Sequence, residues 1–404
     1  MPKKYPKVRS RNGVHTYRYD VINPETGERI QKETKGYATA KEAFQAGLRI
    51  EEEIRNGIFI EESTLRVSEW SDKWIKLYSA TGKTKQRTID IRSRTLQIIN
   101  KEIGGLRLKD VTPLVYQSLL NNLKNRGLTS KTEKTGYSKN SLDIIHSTCR
   151  MMFSKAVRVG LLKSDPTEGS YVPSFALTVD DLESGSEVPK YLEKEELAKL
   201  LKAAYATGDL QKANALFVLS YTGLRIGELC ALRTTDVDYI NKKISVTKTL
   251  YHVKGIAEYR LDTPKTRSSI RKVDIGDSVI KVLKKQESWR NEFKMSRRDE
   301  FYGKEDFLFV NEALLPGYPM SPVKLQLFMK SIVSAQGLPP SVSPHSLRHT
   351  YTSLMAEAGV ELTSIQKLLG HKKNAITEQV YLHVTKSKRR EAVDKLDALM
   401  DGLL

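Results

Sequence analysis

Cysteine is scarce in this sequence, which has only Cys149 and Cys230 among its 404 residues. Both lie in apolar patterns of helical spacing, so we expect buried thiols and no disulfide framework. No Cys/His cluster has zinc-ligand spacing, and the glycine-rich phosphate loop of nucleotide hydrolases is missing. The sequence therefore predicts no metal site and no cofactor.

Long apolar runs are absent as well. No stretch is long and apolar enough to span a bilayer, and no secretory leader is recognisable. We therefore expect a cytoplasmic protein with no membrane partner. The length of 404 residues favours two or three domains over one.

Positive charge, in contrast, is in surplus. The chain has 67 Lys and Arg residues against 48 Asp and Glu residues, a formal net charge of +19. Such an excess favours a polyanionic partner, the alternative being a surface rich in solvated lysine. The N-terminus concentrates basic residues with no acidic residue between them, at Lys3, Lys4, Lys7, Arg9 and Arg11.

The apolar patterns predict an α+β fold with several domains. Residues 1–62 have the pattern of a small three-stranded sheet with one helix, and residues 63–170 that of a helical bundle. Residues 171–189 lack clear periodicity and predict a linker. Residues 190–404 predict a mainly helical domain with a small antiparallel sheet.

The first unit contains a strand with alternating polarity, whose apolar positions are Tyr17, Tyr19 and Val21. Residues 24–27 predict a turn, and residues 30–35 predict the returning strand. A capping box at residues 39–42 predicts a helix that gathers on one side Phe44, Leu48 and Ile54. With Arg18 on the strand and the basic N-terminus before it, a sheet that reads DNA is favoured over a structural appendage.

Three helical stripes of apolar residues follow, and lysines and arginines occupy the other faces. The stripes by themselves indicate only a core, but a basic bundle is suited to clamp a duplex through its phosphates. Their members are Val67, Trp70, Trp74 and Leu77; Tyr116, Leu119, Leu120 and Leu123; and Leu142, Ile145, Cys149, Met152 and Ala156.

Polar residues in apolar surroundings mark the last domain. In the segment TGLRIGEL (222–229), Gly223 permits a tight entry to a helix and Arg225 lies in its first turn. An arginine there can bind phosphate oxygens with both arms, and Glu228 one turn later can hold its guanidinium. A surface ion pair is the alternative.

Lys265 lies between two strand-like runs, where a hairpin turn would present it to a substrate or simply to solvent.

The segment HSLRHTY (345–351) predicts a helix that begins near a proline. His345, Arg348 and Thr352 share one face of this helix, and we expect His349 to be a packing residue. The alternative of a metal site at His345 and His349 lacks the glutamate of the HExxH pattern.

In the segment LLGH (368–371), Gly370 is a natural helix end that leaves His371 at a fixed place. Tyr381 follows ten residues later; a lone tyrosine is most often a packing residue.

In this order, six residues resemble the R…K…HxxR…H…Y pattern of the tyrosine recombinase, or phage integrase, family: Arg225, Lys265, His345, Arg348, His371 and Tyr381. The resemblance covers residues 190–404, including the segments TGLRIGEL, HSLRHTY and LLGH. More loosely, residues 63–170 resemble the family's core-binding domain and residues 1–62 the arm-binding domain of phage and conjugative-transposon integrases.

The resemblance implies that Tyr381 attacks the scissile phosphate and forms a 3′-phosphotyrosyl bond. A phenol is a weak nucleophile at neutral pH and needs a general base or a strongly positive site. The family's pattern makes Lys265 the general acid for the 5′-hydroxyl leaving group, and Arg225 and Arg348 the ligands of the non-bridging oxygens. It makes His345 a base and phosphate ligand, and His371 a further hydrogen-bond donor.

The same resemblance implies double-stranded DNA with core and arm sites as the partner, and a homotetramer that passes through a Holliday junction. An excisionase and a host DNA-bending protein are candidate accessory partners. An apolar stripe in residues 389–404 predicts packing on a neighbouring protomer, or on its own domain. Two other functions compete: a type IB topoisomerase with the same chemistry, and a DNA-binding regulator with a helix-turn-helix at residues 358–371 and no chemistry.

Overall fold

The computed structural model describes residues 5–22, 27–56, 64–82, 84–125, 136–173, 191–252, 255–263, 270–370, 377–382, 384 and 397. The chain separates into two compact units, Met1–Ala176 and Leu177–Leu404. Helices and small antiparallel sheets confirm the α+β class. None of the helices in the described part combines the length and the apolar character that a membrane span requires. The finer division into an arm domain, a core-binding domain, a linker and a catalytic domain stays a prediction.

The N-terminal unit opens with an antiparallel sheet of order β1-β2-β3, formed by β1 (Val8–Arg11), β2 (Val14–Ile22) and β3 (Arg29–Glu33). The predicted alternation is confirmed, because Tyr17 and Tyr19 are buried. The helix α1 (Ala40–Arg55) packs on β2 and begins with the predicted capping box of Thr39 and Glu42.

One side-chain prediction for α1 was wrong. Leu48 is exposed, and the buried residues of the helix are Ala43 and Gly47. Gly47 lies directly against the ring of Tyr17, where an added Cβ would come within 2.1 Å of ring carbons. Because the tyrosine ring fills the space between the helix and the sheet, the residue opposite it has to be small.

The rest of the unit is helical, as predicted, with α2 (Val67–Ala80), α3 (Gln86–Ile103), α4 (Pro113–Asn125) and α5 (Lys139–Arg158). Their predicted apolar stripes form one core, with the exception of Leu77, which is exposed near the end of α2. The indole of Trp70 donates a hydrogen bond of 3.1 Å to the carbonyl of Met152 and so links α2 to α5. Cys149 is buried in this core as a free thiol, and Cys230 is likewise free and buried in the second unit.

The second unit is built around a central helix. Its helices are α6 (Lys194–Ala206), α7 (Leu210–Thr222), α8 (Ile226–Leu229), α9 (Asp277–Ser296), α10 (Pro322–Ala335), α11 (Pro344–Glu357), α12 (Leu362–Leu369) and α13 (377–382). The helix α7 packs against α6, α9, α10 and α11, so most of its residues are buried. This position explains why the sequence of α7 is apolar with little periodicity.

Two small sheets lie beside these helices. One has the order β4-β5-β8, with β4 (Val237–Asp238), β5 (Lys243–Val246) and β8 (Arg271–Asp274); the other pairs β6 (Thr249–His252) with β7 (Tyr259–Asp262). The strands that flank Lys265 are β7 and β8, which belong to different sheets. The two predicted strand-like runs, around residues 244–246 and 273–275, correspond to β5 and β8, which pair antiparallel. The turn that contains Lys265 lies outside the described residues.

Candidate active site

The backbone at the start of the site turns sharply at Gly223. This residue ends α7 with φ of +61°, in the left-handed region that favours glycine. An added Cβ would also meet the ring of Tyr351 at 2.7 Å and Leu369 at 2.8 Å. The sequence predicts that Gly223 begins a helix with Arg225 in its first turn. Instead, Gly223 ends one helix, and Arg225 is the N-cap of the one-turn helix α8.

The carboxylate of Glu228 organises the guanidinium groups around it. The side chain is only 3% exposed, and its Oε1 accepts a hydrogen bond of 2.8 Å from Nη1 of Arg225, as predicted. Its Oε2 accepts from the backbone N–H of Arg225 at 3.0 Å and from Nη2 of Arg271 at 2.9 Å. Burial by itself opposes the charged form, but the hydrogen bonds and charges of Arg271 and then Arg225 outweigh it and lower the pKa of Glu228.

Arg271 is a residue of this cluster that the sequence analysis missed. Its side chain is 6% exposed, and its Nε donates a hydrogen bond of 2.8 Å to the carbonyl of Leu368 at the end of α12. A signal was present in the sequence, because Arg271, Val273 and Ile275 occupy alternate positions and alternate residues of a strand share one face. Val273 and Ile275 are buried on that face. A charged residue at an inward position requires a buried partner.

Arg348 lies in the interior of the unit, although we had assigned it to the polar face of an amphipathic helix. The whole residue is 2% exposed, and Thr352 on the same face is buried too. Nη1 of Arg348 donates to the carbonyl of Gly223 and Nη2 donates to the carbonyl of Leu369, both at 2.5 Å. Burial, followed by the charge of Arg225, lowers the pKa of Arg348 to about 9, so the group keeps its charge at neutral pH.

His345 and His349 lie one turn apart on α11, with ring centroids 4.8 Å apart and the rings nearly perpendicular. Desolvation and the charges of Arg348 and Arg225 lower the pKa of His345. Burial, His345 and Arg348 lower the pKa of His349 to about 4, so it is neutral at pH 7 and partly buried, consistent with packing. Within the described ranges, no group of three or more His, Cys, Asp or Glu residues is arranged to hold a metal ion.

Tyr381 lies on α13, which packs on the ends of α11 and α12. Its side chain is half-buried against a small apolar cluster that contains Tyr351, Ala356, Ile365 and Leu369. The predicted helix end at Gly370 is confirmed by its φ of +71°. Lys265 and His371 lie outside the described residues, as do Lys3, Lys4, the turn at 24–27 apart from Gly27, and the tail from 388 onward apart from Asp397.

The structure thus gathers Arg225, Arg271 and Arg348 around a single carboxylate, that of Glu228. Three positive charges against one negative charge leave this cluster with an excess of two. The groups are fixed by hydrogen bonds, and Arg271 and Arg348 are shielded from water while Arg225 is partly exposed. Their field therefore acts on a ligand with less dielectric screening than in bulk water. The arrangement suits an anion that gains charge during a reaction.

Comparison with known proteins agrees with this geometry. Residues 190–388 match the phage integrase family, and residues 7–54 match an arm DNA-binding domain. The chain therefore belongs to the phage integrase family and is a tyrosine recombinase, a site-specific DNA strand transferase. This membership confirms the family and the function that the sequence predicts.

Relatives are found among phages and mobile elements. The integrase of Staphylococcus phage L54a is 28% identical, over 88% of this chain and 99% of the relative. The ICEBs1 integrase of Bacillus subtilis is 27% identical, over 95% of this chain and 97% of the relative.

Two solved structures share the fold. The Tn1549 transposon integrase in complex with a circular intermediate DNA has a TM-score of 0.61 and 24% identity, covering 82% of this chain and 99% of that chain. A lambda integrase dimer bound to a core site has a TM-score of 0.55 and 18% identity, covering 94% and 96% of the two chains.

Proposed function

We propose that the chain integrates and excises a mobile element through a covalent bond between Tyr381 and DNA. The phenolic oxygen of Tyr381 attacks the scissile phosphorus, the 3′-phosphotyrosyl bond forms, and the bond to the 5′ oxygen breaks. The leaving oxygen takes a proton and departs as a 5′-hydroxyl. In the second half of the reaction, a 5′-hydroxyl from another strand attacks the phosphotyrosyl bond and releases Tyr381.

The observation that carries this proposal is the excess of positive charge at the half-buried Arg225 and the buried Arg348. In the transition state the non-bridging oxygens gain negative charge, and fixed guanidinium groups stabilise that charge more than the ground state. Backbone carbonyls hold Arg348, and a buried carboxylate holds Arg225, so neither group has to reorganise during the reaction. Removing one such donor costs about a hundredfold in rate.

The other roles follow from the family's motif. His345, whose lowered pKa keeps it neutral at pH 7, is the base and a ligand of the phosphate. Lys265 is the general acid that protonates the 5′ oxygen, and His371 donates a further hydrogen bond. These two assignments rest on the order and spacing of the motif alone.

We infer that the N-terminal sheet, within a domain of residues 1–62, binds arm-type DNA sites. The match of residues 7–54 to an arm DNA-binding domain supports this. Arg9 and Arg18 share the face of the sheet opposite α1, since Thr16, which pairs with Arg9, alternates with the buried Tyr17. The expected contacts are Lys3, Lys4, Lys7, Arg9, Arg11 and Arg18; in the free protein Lys7 binds Glu51 at 2.6 Å.

We further propose that four protomers act on two DNA core sites, with residues 63–170 and 190–404 around each site, a linker at 171–189 between them, and the tail docked on a neighbour. A lambda integrase tetramer bound to a Holliday junction, at a TM-score of 0.55, supports this assembly. An excisionase, a host DNA-bending protein and a cytoplasmic location also stay predictions.

A covalent adduct on a denaturing gel tests the chemistry. The probe is a nicked duplex that carries the repeat found by sequencing the DNA on either side of the gene. The wild-type chain should shift to a protein–DNA adduct, and Tyr381→Phe should give none. Tyr351→Phe, which changes a buried tyrosine of the same apolar cluster, is the matched control and should still form the adduct. An adduct that survives Tyr381→Phe would refute the assignment of the nucleophile, and no adduct from the wild type would favour the regulator.

A further inference from the structure

Two guanidinium groups hold the last turn of α12. Arg271 donates to the carbonyl of Leu368 at 2.8 Å, and Arg348 donates to the carbonyl of the next residue, Leu369, at 2.5 Å. The last carbonyls of a helix have no partner within the helix. These two arginines therefore satisfy two carbonyls at the end of α12.

Arg271 also determines the orientation of the Glu228 carboxylate. Its Nη2 donates to Oε2 at 2.9 Å and its Nη1 to Oε1 at 3.3 Å, a two-armed contact that sets the plane of the carboxylate. Arg225 binds the same Oε1 through Nη1 at 2.8 Å. Since Arg225 is the more exposed of the two, with 37% of its side chain accessible, its guanidinium depends on a carboxylate that Arg271 has already fixed.

We propose that Arg271 is a positioning residue for DNA cleavage, which aligns Arg225 through Glu228 and ties it to the end of α12. This inference rests on the proposed function of Arg225. The three described contacts of Arg271 with Glu228 and Leu368 use the planar fork of its guanidinium. A lysine carries the same charge on a single nitrogen and cannot reproduce this geometry.

The consequence for the reaction is specific. If Arg271 is replaced by lysine, the local charge is kept, but the Glu228 carboxylate loses its two-armed partner and keeps only its contacts with Arg225, so both groups shift. A misplacement of about 1 Å costs on the order of a hundredfold in rate. The loss falls on the step in which Arg225 neutralises charge on a non-bridging oxygen, and a substrate without that charge should be less sensitive.

The experiment compares two suicide duplexes of the same sequence under single-turnover conditions with saturating protein. One has the natural scissile phosphate, and the other has a methylphosphonate, in which a neutral methyl group replaces one non-bridging oxygen. We expect Arg271→Lys to cleave the phosphate roughly ten- to a hundredfold more slowly than wild type, with DNA affinity unchanged. On the methylphosphonate, the ratio of the wild-type cleavage rate to the Arg271→Lys rate should be smaller than on the phosphate by at least roughly threefold.

Arg290→Lys is the matched control. Arg290 is also buried, pairs with a carboxylate, Asp306, and donates to a backbone carbonyl, that of Phe307 at 2.6 Å. It contacts neither Glu228 nor α12 among its described hydrogen bonds. Arg290→Lys should lower the cleavage rates of the two substrates by the same small factor. Arg271→Gln serves as a second variant, and circular dichroism establishes that each variant is folded before its rate is compared.

Equal deficits of Arg271→Lys on the two substrates, or a wild-type rate on the phosphate, would overturn the inference and leave Arg271 with a structural role only. Failure of the proposed function itself has a different signature, because the wild-type chain would then form no adduct through Tyr381.

Discussion

Glu33 and Glu228 each lie between a pair of arginines, and their surroundings differ. In the N-terminal sheet, Glu33 accepts from Arg18 at 2.9 Å and lies 3.6 Å from Arg9, with 38% of its side chain exposed. In the second unit, Glu228 lies between Arg225 and Arg271 with 3% of its side chain exposed. Arginine lowers the pKa of both carboxyl groups, by hydrogen bonds at Glu33 and against an opposing burial effect at Glu228.

The comparison shows how burial changes the role of the same residue types. Water screens an exposed ion pair and competes with it, so the arginines of the sheet are able to exchange Glu33 for another anion. A buried pair has lost its water, and removing one partner leaves an uncompensated charge. The first arrangement suits reversible binding to DNA phosphates, and the second suits a rigid site.

The largest effect is expected for Glu228→Gln. Loss of the buried negative charge leaves Arg225, Arg271 and Arg348 without compensation, so the free energy of unfolding should fall by about 3–5 kcal/mol in urea denaturation. Glu33→Gln, the same substitution between two exposed arginines, is the control and should leave the urea midpoint unchanged. Equal effects of the two variants would mean that burial is not what separates the two clusters.

A smaller effect is expected from pH at His349. The pKa of His349 is lowered from 6.5 to about 4, so below pH 6.5 this residue binds a proton in the unfolded chain but stays unprotonated in the folded chain. The free energy of unfolding should therefore fall as the pH drops from 6.5 to about 4. The loss is at most about 3.5 kcal/mol, because one pKa unit corresponds to about 1.4 kcal/mol.

Urea denaturation across this pH range measures the effect, with His349→Gln as the comparison. The difference in unfolding free energy between wild type and variant should narrow steadily as the pH falls through the window. A constant difference from pH 6.5 to 4 would contradict the partly buried, neutral state of His349.

The smallest effect concerns the exposed cluster and DNA. Arg18→Ala should leave stability nearly unchanged, but it should reduce the slope of log K against log salt concentration for arm-site DNA by about 0.9 if one phosphate contact is lost. Filter binding at several salt concentrations measures this slope. Arg49→Ala, an exposed arginine of α1 on the opposite side of the sheet, is the control and should keep the wild-type slope. A slope unaltered by Arg18→Ala would remove Arg18 from the DNA surface.

Local rules predicted much of the fold from the sequence. The capping box at Thr39, the helix end at Gly370 and the apolar stripes of α4 and α5 are all present. The prediction for Leu77 was wrong because Tyr78, which stacks on Trp74, packs against the core at this end of α2, while Leu77 is exposed. Periodicity predicts a face of a helix, but only its neighbours decide which residues of that face are covered.

The site was predicted less completely. The motif predicts Arg225, His345, Arg348 and Tyr381 as site residues, but Arg348 is in the interior, and Arg271, which joins the Arg225 cluster, was missed. The reason is that Arg271 interacts with Glu228 and Leu368, which are 43 and 97 positions away in the chain. No short window contains both partners of such a contact.

The sequence by itself determined the family, the α+β class, the order of the reactive residue types and the local starts and ends of many helices. These properties depend on residue identity and on neighbours within a few positions. Only the tertiary structure decided which charges are buried and which carboxylate holds them, since burial is a property of packing between distant segments, and burial sets the strength of the electrostatic interactions on which the site depends.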